Sequence, residues 1–386
     1  MVLTFENLYQ IVSLSLAFLF SFYLLFNKAK GYKSNIYIGL FIFYMGLESL
    51  EVLLNQASFY SSNPNLYLII PNLGFLIYPI FFFYIKSIAF KGHQLTKKDF
   101  IHALPYLFIL VLSLFQYYSQ PLEVKKQIMT DPELKPWFIT VFYYALRIQA
   151  FIYLYLSIKV AYRFKKIVSE NYSTINKRNY KWILQLTYVF LYFVIIALVS
   201  NILRFGIGGH WDKKLFYVLI PINIAFFIWI IYKAMSQPYL FNGVDANIKL
   251  LKEYLKEKEL LEKNNQATKN LANEDPIKLK IENYMETQEA YLNPSLTLFE
   301  LADGLNMPSI ELSLFLNKSL NKNFFDFVNE YRIKKAMEIL KETSKKEYTI
   351  LEILYEVGFN SKSSFNTAFK KYTNLTPTKY RLNNSK

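Results

Sequence analysis

The chain has 386 residues, which predicts two or three domains at about 150 residues each. It is 53% hydrophobic and 18% aromatic, yet its formal net charge is +15, from 44 Lys and Arg against 29 Asp and Glu. This composition excludes an intrinsically disordered protein, and the absence of cysteine excludes a disulfide scaffold, a thiol nucleophile and Cys-ligated zinc. The three histidines are scattered, so we expect neither a metal site nor a cofactor. Soluble domains are about 45–50% apolar, so the apolar residues and the charges should be segregated along the chain.

Uninterrupted apolar stretches dominate the first two-thirds of the sequence, each close to the ~20 residues that a helix needs to cross a bilayer. The seven stretches are 7–27, 36–54, 67–85, 101–118, 137–158, 182–203 and 215–232. The first is not a secretory signal peptide by pattern, since it lacks a basic start and more stretches follow it. The short loops between them argue against a large soluble core. We therefore predict an all-α protein with a seven-helix transmembrane bundle over residues 1–235.

The loops predict the orientation of this bundle. Lysine and arginine are concentrated in the loops after the first, third and fifth stretches, while acidic residues fall mainly in the other loops. Basic loops stay on the cytoplasmic side. With an odd number of spans, the N-terminus is expected outside and everything after Tyr232 inside. The predicted location is the cytoplasmic membrane, with the lipid bilayer as a partner.

Charged residues stand inside two of the predicted spans, where burial is costly and usually functional. Glu48 and Glu51 are three residues apart on one face of the second stretch, and Arg147 is in the middle of the fifth. An ion pair of Arg147 with either glutamate would join two helices, or the group would bind a polar ligand. We favour the structural pair, because such groups tend to pair with one another.

A charged linker is predicted over residues 236–275. Apolar residues in 245–265 recur at helical spacing, but Lys258 and Glu262 interrupt the heptad. We therefore expect a solvated helix, with pairing in a homodimer left open. Residues 264–276 are polar and predict a hinge.

Residues 276–386 contain two similar segments of short amphipathic helices. Each begins with a capping box, Thr297-x-x-Glu300 or Thr349-x-x-Glu352, and each reaches a residue suited to a left-handed turn, Asn306 or Gly358. A second helix follows each turn, over 308–320 and 361–372. Helix, short turn, helix is the arrangement that delivers a recognition helix into the DNA major groove.

The residues that carry the most specific pattern are FELADGLNMPSIELSLFLNKSL, the joining helix YRIKKAMEILKET, and ILEILYEVGFNSKSSFNTAFKKYTNLTPTKYR. This part of the chain, about 276–384, resembles the DNA-binding domain of the AraC/XylS family of transcription regulators. The resemblance implies two helix-turn-helix motifs joined by a long helix, with double-stranded DNA as the partner. Asn321 and Asn374 stand where the family usually has glycine.

Candidate DNA-contacting residues follow from position and chemistry. In the second motif Lys362 suits guanine and Asn366 suits adenine, whereas Lys370 and Lys371 are expected at phosphates. Arg332 on the joining helix is expected either to orient the two motifs or to touch phosphate. The remaining candidates of the two motifs are Ser309, Ser313, Asn317, Lys318, Ser361, Ser363, Thr367 and Arg381.

Together these features predict a membrane-bound, sequence-specific transcription regulator that is not an enzyme. Its bundle senses a small-molecule or protein signal, and the linker helix passes that signal to the DNA-binding domain. The alternative is a transporter or integral-membrane enzyme with a regulatory DNA-binding tail, and a third possibility is that the bundle only anchors the protein. No catalytic constellation is evident in the bundle sequence, which counts against the transporter or enzyme alternative.

Overall fold

A computed structural model of the chain describes residues 4–26, 33–91, 93–130, 137–173, 177–203, 274–341 and 348–384, together with six single positions from 222 to 245. This described part is all-α except for one two-residue parallel pair, β1 (Phe90–Lys91) with β2 (Val244–Asp245). By its contacts the chain forms two units. The first, here called the apolar unit, contains residues 1–161 and 181–246. The second contains 162–180 and 247–386, and it is called the DNA-binding unit after the function expected from the resemblance described above.

The long helices of the apolar unit follow the apolar stretches of the sequence. In chain order the helices are α1 (Phe5–Phe26), α2 (Lys33–Gln56), α3 (Phe59–Ser62), α4 (Ile69–Ala89), α5 (Leu104–Ser113), α6 (Leu122–Thr130), α7 (Trp137–Asn171) and α8 (Lys177–Ile202). A 3-10 helix, Lys97–Ala103, precedes α5, and a π-helical turn, Leu114–Tyr118, extends it.

Six helical segments among the described residues are long and apolar enough to cross a membrane. They are Phe5–Phe26, Ser34–Gln56, Pro64–Ala89, Lys97–Tyr118, Trp137–Asn171 and Trp182–Ser200. They correspond to the first six predicted spans. The seventh, 215–232, lies almost entirely outside the described residues, so the number of seven spans stays a prediction. The predicted linker helix, 245–265, also lies outside them.

Small residues bring α1 and α2 close together. A Cβ atom on Gly46 would lie 2.6 Å from the Phe18 ring, and the Ser21 hydroxyl donates a 2.8 Å hydrogen bond to the Gly39 carbonyl. Contact of this kind, through small residues and a buried hydroxyl, is how helices associate when apolar burial alone does not drive them together.

Helix α7 is longer than predicted, because Arg163, Lys165 and Lys166, which were expected in the loop after the fifth stretch, belong to its last turns. The helix continues from residue 158 to Asn171. In this extension Phe164, Ile167 and Val168 are buried, while Arg163 and Lys165 are exposed. The apolar spacing of three and four residues makes the segment an ordinary amphipathic helix, which basic residues on its outer face do not interrupt.

Seven helices are described in the DNA-binding unit within residues 274–341 and 348–384. They are α9 (Glu274–Gln288), α10 (Leu298–Gly304), α11 (Ser309–Lys318), α12 (Phe324–Lys341), α13 (Ile350–Glu356), α14 (Lys362–Thr373) and α15 (Pro377–Asn384), with a 3-10 turn at Ala290–Leu292. The unit has two separate hydrophobic cores. Helix α12 contributes to both, with Phe324, Phe327 and Val328 in the first and Ile333 onward in the second.

Candidate nucleic-acid interface

The first helix pair consists of α10 and α11. The Thr297 hydroxyl accepts a 3.2 Å hydrogen bond from the Glu300 amide, and the Glu300 carboxylate accepts a 2.8 Å bond from the Thr297 amide. This confirms the predicted capping box, which uses two amides that a helix start leaves without partners. The chain then turns at Asn306, whose φ of 48° is in the left-handed region, as predicted.

The second helix pair, α13 and α14, repeats this construction. Thr349 and Glu352 form the second predicted capping box. The turn is at Gly358, with φ of 85°. Ser361 caps α14, since its hydroxyl accepts a 3.2 Å bond from the Ser364 amide and donates a 2.9 Å bond to the Ser364 hydroxyl. Ser361 therefore holds the start of the helix, and its hydroxyl is already engaged there.

The outer face of α14 carries most of the predicted DNA-contacting groups. Phe365 and Phe369 are fully buried in the second core, as predicted, and this fixes which face of the helix is turned outward. The exposed side chains on the other face are Lys362, Ser363, Thr367 and Lys370, and Asn366 is half-buried beside them. Residues 361–386 include six basic and no acidic residues, so this surface suits a polyanion.

Lys371 and Arg381 differ from these groups. The Lys371 ammonium forms a 2.7 Å ion pair with Asp326 at the start of α12, and the neighbouring Tyr372 hydroxyl donates a 2.7 Å bond to the Asp326 carbonyl. Lys371 therefore joins α14 to α12, a role that no sequence pattern indicated. Arg381 is half-buried on α15.

The first helix pair offers fewer outward groups. Lys318 is exposed, and Ser309 and Asn317 are half-buried. Ser313 is only 6% exposed, so its prediction as a groove-facing residue is wrong for this conformation. It lies in the run Leu312–Leu316, most of which packs into the first core, and its carbonyl accepts a 2.8 Å bond from the Asn317 side chain. The exposed acid Glu311 also stands at the start of α11.

Arg332 does not reach the surface. Its side chain is completely buried, so the alternative of a phosphate contact is excluded in this conformation. The guanidinium instead donates hydrogen bonds to the carbonyls of Tyr291 and Asn293, at 2.6 and 2.7 Å, and to Ser173. Ser173 is 159 residues away in sequence, and no local pattern indicated this contact.

The predicted intramembrane residues Glu48, Glu51 and Arg147 fall into two groups. Arg147 donates a 2.9 Å hydrogen bond to the Tyr78 hydroxyl and interacts electrostatically with Glu48, which also accepts a bond from Tyr44. Glu51 accepts bonds from Tyr60 and, at 3.0 Å, from Asn55. Among the described residues no group of three acidic or histidine side chains is arranged to hold a metal ion.

Comparison with known proteins finds similarity in the part of the chain that contains both helix pairs. A family described as "Helix-turn-helix domain" matches residues 301–383. The chain is 33% identical over 90 residues to the uncharacterized HTH-type transcriptional regulator YdeC of Bacillus subtilis, covering 23% of this chain and 30% of that protein. It is 35% identical over 85 residues to the probable transcription factor PqrA of Proteus vulgaris, covering 70% of that protein.

The chain belongs to the AraC/XylS family of transcription regulators. Residues 301–383 are its AraC-type helix-turn-helix domain, which contains both helix pairs. The C-terminal domain of AraT, a response regulator from Geobacillus stearothermophilus, is 30% identical and covers 27% of this chain and 84% of that one, with a TM-score of 0.24. The match spans less than a third of YdeC and 13% of an HTH-type regulator of Staphylococcus aureus.

Proposed function

We propose that the protein is a membrane-embedded transcription regulator, in which the apolar unit receives a signal and the DNA-binding unit reads a DNA sequence. The proposal rests on one observation: the described residues contain six helical segments of membrane-spanning length and composition, and the same chain has an AraC-type domain. Large exposed apolar side chains, such as Leu19 and Phe26 at 70% and 74%, support placement of α1 in lipid, because water would strongly disfavour them.

The distribution of basic residues supports an orientation with the DNA-binding unit in the cytoplasm. Basic segments next to short loops stay inside, and DNA is on the same side. Reporter fusions after residue 270 are expected to be active only for a cytoplasmic reporter. A fusion between α3 and α4, at residue 63, is the matched control and is expected to show the opposite behaviour. An exported reporter active at residue 270 would contradict the orientation and the function together.

We infer that α14 is the main sequence-reading helix. Its exposed Lys362 and half-buried Asn366 are side chains that pair with guanine and adenine edges in the major groove. The first helix pair is inferred to read a second groove segment through Ser309, Asn317 and Lys318. The two pairs are joined by α12, which packs into both cores.

Selection of duplexes from a random-sequence pool tests this assignment. Lys362→Ala and Asn366→Ala are each expected to relax the preference at one base position, at a cost of about 1–3 kcal/mol per bidentate contact. Thr378→Ala, on the exposed side of α15, is a control that should leave the selected sequence unchanged. If both α14 variants select the same sequence as the unmodified chain, α14 is not the reading helix.

A further inference from the structure

The turn that follows α7 is built into the DNA-binding unit. Tyr172 forms an isolated antiparallel bridge with Thr297, and the Ser173 amide donates a 3.0 Å hydrogen bond to the Leu296 carbonyl. Thr297 is the residue that caps α10. Ser173 is only 1% exposed. The end of a helix that begins in the apolar unit at Trp137 is therefore seated directly before the first helix pair.

Arg332 binds this turn from the other side. Its Nη1 donates a 3.1 Å bond to the Ser173 carbonyl, and its Nη2 donates a 3.1 Å bond to the Ser173 hydroxyl. The remaining donors go to Tyr291 and Asn293 and, at 3.4 Å, to the Asn329 side chain. A guanidinium has five N–H donors, and here all five have an acceptor. Ser173 supplies two of these acceptors.

The same guanidinium also touches the second helix pair. Arg332 follows Val328 of the first core and precedes Ile333 of the second, so it is at the point where α12 passes between them. Its Cζ is 5.5 Å from the centre of the Phe359 ring, beside the turn of the second pair. Arg332 is thus in contact with the α7 turn, with the segment before α10 and with the turn before α14.

These contacts depend on one another because the cation is buried. Burial lowers the pKa of Arg332 to about 10, which still leaves it charged at neutral pH. A buried cation needs acceptors for its donors, and donors left without them are costly. If the turn left its place, two guanidinium N–H groups would lose their acceptors. Arg332 would then have to move, and with it the contacts that hold the two helix pairs in their present arrangement.

We propose that the Asn171–Ser173 turn is a docking element through which the apolar unit sets the mutual arrangement of the two helix pairs, with Arg332 as the positioning residue. Helix α7 is continuous from Trp137 to Asn171, so a shift of its apolar part carries the turn with it. This rests on the proposed function, and it places regulation on α7, whereas the sequence suggested the 245–265 helix. The docked turn holds both helix pairs in their binding arrangement before DNA arrives, and this increases the affinity for DNA. By linkage, DNA favours the docked turn to the same degree.

The absence of cysteine allows a direct test of docking. Tyr172 and Thr297 face each other as a non-hydrogen-bonded pair, for which Cα atoms are about 4.5 Å apart, a distance that a disulfide spans. The full-length chain with Tyr172→Cys and Thr297→Cys, reconstituted in lipid nanodiscs, is expected to form the disulfide when treated with diamide. The control pair Tyr172→Cys with Phe299→Cys, an outward position on α10 that is 71% exposed, should not.

The consequence for DNA is measured with one probe, a duplex enriched from a random-sequence pool by the unmodified chain. Excess probe is expected to accelerate disulfide formation at least severalfold. The oxidised protein should bind as tightly as the unmodified chain, while Ser173→Pro, which lacks the amide that bonds Leu296, should bind at least tenfold more weakly. Ser173→Ala removes only the hydroxyl acceptor, so it should fold normally and show a smaller loss. The single Thr297→Cys variant controls for the altered helix cap.

Three results would overturn the proposal. Loss of DNA binding in the oxidised protein would show that docking opposes DNA. Equal affinity in the oxidised, reduced and Ser173 variants, with no effect of the probe on disulfide formation, would make the turn a passive support. Equal cross-linking in the control pair would show that the turn does not dock. If the unmodified chain enriches no duplex, the proposed function fails instead, and cross-linking alone still reports docking.

Discussion

Four residues of the DNA-binding unit with left-handed backbone conformation differ in whether the position has room for a Cβ atom. Asn306, Asn321 and Asn374 all have φ between 48° and 58°, where asparagine is tolerated at modest cost. Gly358 has the same handedness, but a Cβ there would lie 2.6 Å from the Leu292 carbonyl oxygen. Glycine is required at this position by both conformation and close packing, whereas at the other three conformation alone sets the preference.

Gly358→Ala is therefore expected to destabilise the second helix pair by at least about 2 kcal/mol. Backbone amides of α14 should then exchange with deuterium about thirtyfold faster than in the unmodified chain. Gly304→Ala is the control, because an added Cβ there meets the hydroxyl of the Tyr284 side chain and lies 2.6 Å from its ring, and Tyr284 packs against the first core only. Unchanged exchange in α14 would contradict the role given to Gly358.

The adjacent lysines of α14 are expected to behave differently. Lys370 is exposed, whereas Lys371 is held by Asp326. Lys370→Ala should weaken binding to all DNA sequences and reduce the slope of log affinity against log salt by about one unit. Lys371→Ala should leave the slope nearly unchanged, since its charge is already paired within the protein. Equal slopes for the two variants, measured by fluorescence anisotropy over a salt series, would contradict this distinction.

Among the elements, the short helices depend on their caps and the long ones on their apolar faces. Helices α10 and α13 have seven residues each, which is too few to be stable alone in water. Each starts with a capping box that satisfies two amides. Helix α7, with 35 residues, has no such need and extends as far as its amphipathic pattern continues. Helix capping therefore contributes a larger share of the stability of α10 and α13 than of the stability of α7.

Thr349→Ala is expected to destabilise the second helix pair by about 1 kcal/mol, which is a fivefold increase in amide exchange in α13. Hydrogen bonds from the Thr349 amide and hydroxyl lower the pKa of Glu352 in the folded protein. The stabilising effect of the Glu352 carboxylate is therefore complete above the unfolded-state pKa near 4.5, and it is lost as the pH falls through the folded-state pKa. The difference between Thr349→Ala and the unmodified chain should therefore shrink under acidic conditions. Thr297→Ala should act on the first pair instead; a uniform effect on both pairs would contradict the assignment.

At the scale of the whole molecule, the apolar excess and the positive charge occupy different parts of the chain. The six candidate spans account for most of the apolar stretches, and α14 with the residues after it has six basic residues and no acidic one. A basic protein can also bind anionic lipid headgroups from outside, and that attraction is screened by salt. Spanning helices are held by apolar burial, which salt does not weaken.

The full-length chain is therefore expected to sediment with membranes, to stay there after a wash in 1 M salt, and to be released by detergent. Salt concentrations of this order reduce the screening length to about 3 Å, enough to release a protein held by charge alone. The matched control is a variant with Lys362, Lys370 and Lys379 changed to Gln, which should fractionate identically. Release by salt would contradict membrane spanning and, with it, the proposed function.

The features that depend on neighbouring residues could be predicted from the amino-acid sequence. Apolar runs identified six long helices, Thr-x-x-Glu spacing identified both helix starts, and residue type identified the left-handed turns at Asn306 and Gly358. Each depends on interactions within one helical turn or on the conformational preference of one residue. The same is true of the buried Phe365 and Phe369, whose spacing placed them on the core side of α14.

The partners of the charged and polar groups could not be predicted and are known only from the folded arrangement. Arg332, Lys371 and Ser313 all looked suited to DNA, yet the first bonds Ser173, the second pairs with Asp326 and the third is buried. A long polar side chain reaches several angstroms and can meet any residue that folding brings near it, at any separation in sequence. Helical periodicity is a local property that the chain encodes directly, whereas the acceptor for a buried guanidinium exists only once both cores and the α7 turn are assembled.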